Sequence, residues 1–213
     1  MTAVCYDGEV IAADRMSRMT AKDGTKQVKS MTQEKIAIDF STVTFDGDPI
    51  RAVGRAGVLK VSLELLRMLR DTADLYQHID EIPDRLRATL GESHRNASLL
   101  ILTLKHSYIL KVDKHGACRV TKYPRSKKLA IGSGCSIALF LMEQTGLNAV
   151  DAVAAMELAH DCCGGGVTYT SRLIAGFDEP LRVREHSDKG VVSQRMLRSL
   201  INASTTKLTG SHA

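Results

Sequence analysis

The chain has 213 residues, of which 44% are hydrophobic and 25% are charged. This composition excludes a wholly disordered protein, and the length suits one domain with a single sizeable core. Trp is absent and aromatic residues make up only 4%, so the core has to be built from aliphatic side chains and Met. The formal net charge of +5 admits an acidic partner. However, the densest basic run, Lys122–Lys128, is short, and we expect a solvated loop there rather than a nucleic-acid site.

The five cysteines show no regular spacing, and the N-terminus lacks the basic and apolar segments of a secretory signal. The apolar runs fall short of the roughly 20 residues that a membrane span needs. We therefore expect a cytoplasmic protein with free thiols and no membrane segment.

Residues 1–14 read MTAVCYDGEVIAAD. Two short apolar runs flank Asp7-Gly8, a dipeptide that suits a tight turn, and this pattern predicts a β-hairpin. The second run is almost entirely apolar, so we expect a strand buried on both faces, followed directly by Asp14. If the bond after Met1 is cleaved, Thr2 carries a hydroxyl nucleophile and a free amine that can act as its base.

The next part of the chain predicts short strands and then a helix. Residues 15–34 are polar, and a weak strand is predicted at Lys26–Met31. In Lys35–Thr44 apolar and polar residues alternate, which predicts a strand with one face on the core. A turn follows at Asp46–Pro49. The segment Gly54–Gly57 precedes a wide helical stripe that runs from Val58 to Leu69. A glycine turn at this position has two interpretations. It is a plain connection between strand and helix, or it presents backbone N–H groups to an anion or oxyanion.

Further along, a weaker helix at Asp74–Leu90 is interrupted near Pro83. Short polar connections then join three strands in an antiparallel meander. These strands are predicted at Ala97–Leu104, Tyr108–Val112 and Cys118–Tyr123.

The last part of the chain predicts a second pair of helices. Leu129–Ile131 leads into Gly132-Ser133-Gly134, and a helical stripe covers Ile137–Met142. Asn148 can cap the next helix, which ends at His160-Asp161-Cys162-Cys163 before three glycines. We do not expect a metal site there, because adjacent cysteines rarely bind one ion together and no second pair stands at zinc spacing. A strand at 167–169, a strand pair at 173–184, a helix at 192–201 and a loose tail at 203–213 complete the chain.

This order of elements predicts an α+β fold, in which two stacked antiparallel sheets are covered by helices. We expect one domain over residues 1–202, with residues 203–213 as a C-terminal tail.

Three features together resemble the proteasome β-subunit family. They are a hairpin whose second strand ends in Ala-Ala-Asp, a later Gly-Ser-Gly before a helix, and an Asp three residues before consecutive glycines at a helix end. The relatives of this family include the bacterial peptidase HslV and short proteasome-like proteins of phages, which the opening residues resemble most. The likeness covers residues 2 to about 169. It implies an N-terminal nucleophile (Ntn) hydrolase fold, a four-layer α-β-β-α sandwich.

The resemblance implies roles for individual residues. Thr2 would be the nucleophile, and Asp14 would balance a nearby lysine. Ser133 and Asp161 would hold the Thr2 amine, and a backbone N–H near Gly54 or Gly57 would receive the oxyanion.

The family places its catalytic lysine on the strand after the acid. Lys26 and Lys29 are therefore candidates, with Lys26 favoured and Lys35 a remote third. A cation at this position would lower the proton affinity of the amine and stabilise the acid.

Two sequence features depart from the pattern of active members. Gly164 stands where they usually carry a serine, and residues 41–49 resemble an insertion before the glycine segment. The resemblance implies a threonine peptidase without a cofactor, acting on peptides or proteins as a homo-oligomeric ring or stacked assembly. It would lie in the cytoplasm of a bacterial host if a phage encodes it, and an unfoldase partner is not identified. The alternative is an inactive proteasome-like scaffold or phage assembly protein that self-associates.

Overall fold

The computed structural model describes residues 2–20, 27–30, 33–40, 42–91, 96–159, 163–170 and 184–186. Within these ranges the strands follow one another in the order β1 (Val4–Tyr6), β2 (Ile11–Asp14), β3 (Ser17–Thr20), β4 (Gln27–Ser30), β5 (Ile36–Ala37), β6 (Thr44–Phe45), β7 (Asp48–Gly57), β8 (Ala97–Thr103), β9 (His106–Val112), β10 (Cys118–Pro124), β11 (Leu129–Ile131), β12 (Val167–Thr170) and β13 (Arg184–His186). The helices are α1 (Leu59–Asp71), α2 (Ile82–Leu90), α3 (Cys135–Gln144) and α4 (Ala149–Ala159), with a 3-10 helix at Leu75–Glu81 before α2.

The strands form two antiparallel sheets and a separate ribbon. Sheet I has the strand order β11-β1-β2-β12-β13, and sheet II has the order β10-β9-β8-β7-β5 with β6 paired to β7. Strands β3 and β4 pair only with each other among the described residues. The predicted α+β class with two antiparallel sheets is confirmed.

The predicted N-terminal hairpin forms the middle of sheet I. Its register pairs Val4 with Ala13, and the turn contains Gly8 at φ +109°. All four residues of β2 are buried, as the apolar run predicts. Because β1 also pairs with β11 and β2 also pairs with β12, the N-terminal hairpin lies between two strands that come later in the chain.

Three apolar clusters fill the space between the sheets and helices. One cluster packs α1, the 3-10 helix and α2 against sheet II, and includes Leu65, Leu69 and Leu99. A second packs α3 and α4 against sheet I, and includes Leu141 and Met156. The third lies between the two sheets and is formed by side chains of β1, β2, β5, β7, β8 and β11. Each sheet is therefore covered by helices on one face and by the other sheet on its other face.

Two local predictions differ from the structure. Among the described residues of the alternating segment Lys35–Thr44, strand is confined to Ile36–Ala37 and to the first residue of Thr44–Phe45. The chain turns between them, where the Val43 N–H donates to the carbonyl of Phe40, and Phe40 itself enters the core against sheet II. The segment Gly54–Gly57 is not a turn, because β7 continues through Gly57 and pairs with β8 as far as Ala97.

The remaining predicted elements are confirmed where the structure describes them. The weak helix predicted at 74–90 forms as the 3-10 helix Leu75–Glu81, which has a non-helical residue at His78, followed by α2 from Ile82. The meander is formed by β8, β9 and β10. Asn148 caps α4 by accepting a hydrogen bond from the Asp151 N–H at 2.9 Å. The predicted strand pair at 173–184, the helix at 192–201 and the tail at 203–213 lie outside the described residues, except for Arg184 at the start of β13.

Candidate active site

The strand-to-helix segment after β11 lies against the N-terminal residues. The Thr2 N–H donates to Ser133 Oγ at 3.1 Å, and the Gly134 N–H faces the Thr2 carbonyl at 3.4 Å. The pairing of β1 with β11 produces this contact, because Val4 is opposite Ile131 and the chain continues from there toward Thr2 on one side and Ser133 on the other. The structure thus brings two of the predicted site residues together across 131 positions of sequence.

Of the two glycines that flank Ser133, Gly132 is required by close packing against backbone, whereas Gly134 lies against the end of a flexible side chain. Gly132 has φ +97°, and a Cβ on it would lie 2.1 Å from the Thr2 carbonyl oxygen. A Cβ on Gly134 would lie 2.2 Å from the Met156 side chain. Gly132 therefore allows the turn to approach the Thr2 backbone, and the turn presents the Ser133 hydroxyl to the Thr2 nitrogen.

Asp14 and Lys35 form a buried ion pair beside Thr2. The Lys35 Nζ donates to Asp14 Oδ1 at 2.8 Å, and the two side chains are 4% and 0% exposed respectively. Asp14 also accepts the N–H of Ala3 at 2.9 Å and the N–H of Met16 at 3.3 Å. A buried carboxylate needs such partners, and here they connect the end of β2 to the start of β1 and to β5.

Lys35 has an acceptor for each of its three ammonium hydrogens. Besides Asp14, it donates to the Met16 carbonyl at 2.6 Å and to the Thr2 Oγ1 at 3.4 Å. A lysine ammonium has three donors and no acceptor. Since Thr2 Oγ1 accepts from Lys35, its own hydrogen is directed elsewhere, which leaves the hydroxyl free to donate its proton to a base.

Burial shifts the pKa values of the ion pair in opposite directions. Burial raises the pKa of the Asp14 carboxyl, and the charge of Lys35 opposes that rise. Burial lowers the pKa of the Lys35 ammonium, and the charge of Asp14 opposes that fall. Each partner therefore helps to keep the other ionised, and the cation beside the Thr2 hydroxyl depends on Asp14.

The lysine that lies beside Thr2 is Lys35, which the sequence makes a weaker candidate for the catalytic lysine than Lys26 or Lys29. Lys26 is outside the described residues, and Lys29 lies in β4, where only the backbone is described. Lys35 directly precedes β5, and β5 pairs with β7 at the edge of sheet II. The signal in the sequence was its position at the start of an apolar segment, whereas Lys26 and Lys29 lie in a polar one.

The register of β7 distinguishes the two glycines predicted to receive an oxyanion. The Arg55 N–H donates to the Lys35 carbonyl at 2.9 Å, and the Val58 N–H donates to the Asn96 carbonyl at 2.8 Å. N–H groups alternate between the two edges of a strand. The Gly57 N–H is therefore on the edge of Lys35, whereas the Gly54 N–H is on the edge of β8.

Gly54 has a separate packing role. A Cβ on this residue would lie 2.4 Å from Val4 Cγ1 and 3.0 Å from Ile11 Cδ1. The missing side chain allows the two sheets to approach each other here. Of the two glycines, Gly57 is therefore the better placed to serve the site.

The triple glycine lies close to the site, although Asp161 is outside the described residues. The Arg15 N–H, next to Asp14, lies 3.1 Å from the Gly164 carbonyl and 3.2 Å from that of Gly166. Gly164, the position that departs from the family pattern, is thus near the end of β2. A side-chain hydroxyl is absent from this position.

No known family model matches the chain, and no curated protein matches it. In the described part of the chain, no helix is long and apolar enough to cross a membrane. The same residues contain no group of three or more His, Cys, Asp or Glu side chains arranged to hold a metal ion.

Proposed function

We propose that the protein is a threonine-type N-terminal nucleophile hydrolase of the proteasome-like type, which cleaves peptide amide bonds after the Met1–Thr2 bond is cut. The observation that carries the proposal is the convergence on Thr2 of Lys35, Asp14 and Ser133. Thr2 Oγ1 has a cation at 3.4 Å and the Thr2 nitrogen has a hydroxyl at 3.1 Å. A nucleophile, its base and two groups that orient them are the parts that such catalysis requires.

The proposed reaction has two steps. In the first, Thr2 Oγ1 attacks the substrate carbonyl carbon while the free Thr2 amine accepts the hydroxyl proton. The carbonyl oxygen becomes an oxyanion that accepts the Gly57 N–H. Its collapse breaks the C–N bond, and the leaving amine takes the proton from the Thr2 ammonium. In the second step water attacks the resulting ester, restores the Thr2 hydroxyl and releases the carboxylic acid.

The architecture supports the same proposal. One apolar cluster lies between helices and sheet II, one lies between the two sheets, and one lies between sheet I and helices. The four-layer α-β-β-α sandwich of the N-terminal nucleophile hydrolases requires this arrangement. The Thr2 N–H and the Ser133 hydroxyl meet at the end of sheet I, and Lys35, which directly precedes β5 of sheet II, donates to Thr2 Oγ1. The proposed nucleophile is therefore at the junction of the two sheets.

The intact mass of the purified protein is the first test. We expect a mass that lacks Met1, because an amide at the Thr2 nitrogen cannot accept a proton. A fully retained Met1 would rule out the proposed base. Edman sequencing that begins at Thr2 would identify the new N-terminus directly.

The second test is covalent labelling with a peptide epoxyketone, which requires both a hydroxyl and a free amine on one residue. Wild-type protein should be labelled at Thr2, Thr2→Ser should retain labelling, and Thr2→Ala should abolish it. Labelling that persists in Thr2→Ala would remove Thr2 from the mechanism.

Gly164 favours a second candidate, a self-associating scaffold without activity. The structure places this glycine near Asp14 through the Arg15 N–H, and a hydroxyl that active relatives use there is missing. For this candidate we expect the epoxyketone to fail on protein that has lost Met1, and light scattering to show a defined oligomer.

A further inference from the structure

Two cysteines lie in the apolar core directly behind the candidate active site. Cys5 of β1 is 0% exposed, and Cys163, in the segment that leads into β12, is 3% exposed. Both are present as thiols, and both belong to the apolar cluster that packs α3 and α4 against sheet I. They are nucleophilic groups beside the site that the proposed mechanism leaves unused.

The pairing of sheet I brings the segments of these two cysteines together. Strands β1 and β12 lie on either side of β2, so that Ala12 is opposite Cys5 in one direction and opposite Tyr169 in the other. Cys163 precedes β12, and the carbonyl of the adjacent Gly164 lies near the end of β2. The two thiols are therefore on the same face of sheet I, the face that the helices cover.

The two thiols are close enough for a charge on one to act on the other. Burial raises the pKa of the Cys5 thiol, and negative charges at Asp14 and at Cys163 raise it further. Burial lowers the pKa of the Lys35 ammonium, and a negative charge at Cys163 opposes that fall, as the charge of Asp14 does. Cys163 thus lies within electrostatic reach of both Cys5 and Lys35.

These surroundings give the two thiols different reactivities. The thiolate is the form that attacks an oxidant, and a nearby cation favours it. Cys163 has the Lys35 ammonium as such a cation. Cys5 instead meets the like charge of Asp14 and stays protonated. Cys163 is therefore the thiol that reacts first with an oxidant, and Cys5 is placed to react with the product.

We propose that Cys163 and Cys5 form a reversible peroxide switch that inactivates the candidate active site. The Cys163 thiolate attacks one oxygen of hydrogen peroxide, so that an S–O bond forms, the O–O bond breaks and hydroxide leaves. The sulfur is oxidised by two electrons and the peroxide is reduced. The Cys5 sulfur then attacks the Cys163 sulfur. An S–S bond forms, the S–O bond breaks, and the departing hydroxide takes the Cys5 proton to become water.

The disulfide would affect the site through the segment that carries Cys163. This segment contacts the end of β2, because the Gly164 and Gly166 carbonyls lie 3.1 and 3.2 Å from the Arg15 N–H. Arg15 directly follows Asp14. A disulfide allows only a narrow range of separations between its residues, so a bond to β1 restrains the segment and changes its contact with Arg15. The loss of activity rests on the proposed function, whereas formation of the disulfide does not.

The first test maps disulfides in the native protein after treatment with hydrogen peroxide and alkylation of the remaining thiols. We expect a linked pair of peptides that contains Cys5 and Cys163, has lost two hydrogens and is separated by dithiothreitol. A disulfide between Cys163 and Cys135 or Cys162 overturns the assignment of Cys5. Oxidation of Cys163 without any disulfide overturns it as well.

The second test measures epoxyketone labelling of Thr2 once catalase has removed the peroxide. Labelling of the wild type should slow about tenfold to a hundredfold, as misplacement of a catalytic group by about 1 Å does, and dithiothreitol should restore it. Cys5→Ala and Cys163→Ala should keep their labelling rates after peroxide. Cys118→Ala is the matched control, because Cys118 packs against the cluster on sheet II, and it should respond as the wild type does. If Cys5→Ala fails to fold, Cys163→Ala and the disulfide map still decide.

The outcomes separate this inference from the proposed function. Slow labelling that persists in Cys163→Ala, or that dithiothreitol does not reverse, overturns the switch and leaves the hydrolase intact. Labelling that peroxide does not slow, in protein shown to contain the disulfide, also overturns the switch alone. Absence of labelling before any peroxide is added overturns the hydrolase, and the switch with it.

Discussion

Replacing Lys35 by Met should destabilise the protein by about 3–5 kcal/mol at neutral pH, the cost of removing one partner of a buried ion pair. The substitution preserves much of the side-chain volume but leaves the Asp14 carboxylate fully buried, and its remaining partners among the described residues are the backbone N–H groups of Ala3 and Met16. It also removes the cation from Thr2 Oγ1. We therefore expect loss of epoxyketone labelling even where the protein remains folded.

The loss of stability should depend on pH, with a definite sign. Burial raises the pKa of Asp14 in the wild type, and Lys35 opposes that rise. In Lys35→Met the opposition is gone, so the folded-state pKa moves further above the unfolded value of about 3.9. A raised carboxyl pKa gives stability below the unfolded value, which is lost as the pH rises through the folded value. The deficit relative to wild type should accordingly be smaller near about pH 5 than near about pH 8.

Urea unfolding of wild type and variant at both pH values measures the effect. Lys111→Met is the matched control, since Lys111 is an exposed lysine of β9, and it should change stability by no more than about 0.5 kcal/mol. Adding Asp14→Asn to Lys35→Met should cost less than the sum of the two single changes by about 1–3 kcal/mol. A Lys35→Met deficit no larger than that of Lys111→Met, or one that shrinks as the pH rises, would refute the reasoning about the pair.

Three further predictions concern the surroundings of the pair. Gly132→Ala should cost more stability than Gly146→Ala in urea unfolding, because both have positive φ but only at Gly132 does a Cβ meet another atom, the Thr2 carbonyl oxygen at 2.1 Å; equal costs would contradict the close approach. Ser133→Ala removes the acceptor of the Thr2 N–H and should slow epoxyketone labelling about tenfold. In urea unfolding it should lower the free energy of unfolding by no more than one hydrogen bond contributes. Burial raises the pKa of the Cys5 thiol, so this cysteine should resist Ellman's reagent in the folded protein and react in urea, and fast reaction without urea would show that β1 is exposed.

Much of the fold follows from local patterns that the sequence shows directly. The four-residue spacing of Val61, Leu65 and Leu69 buries one face of α1, and the apolar run of β2 is buried on both sides. Such patterns depend only on the 3.6-residue and 2-residue repeats of helix and strand. The prediction of one strand over residues 35–44 was wrong because a turn interrupts the alternating pattern. That turn accompanies the packing of Phe40 into the core, which is a tertiary contact.

In the candidate site, too, the sequence identifies some residues and only the tertiary structure identifies the others. Thr2, Asp14 and Ser133 could be named from the sequence because they stand in short motifs that resemble those of the proteasome β-subunit family, and each motif lies at the end of an element that is recognisable by itself. The choice of Lys35 among the lysines could not, because it depends on which chain segment lies beside β7 and reaches Asp14 across 21 positions. The same register decided between Gly54 and Gly57, and it placed Arg55 next to Lys35. Pairing across a sheet is a long-range property with no local periodicity, so only the tertiary structure determines these neighbours.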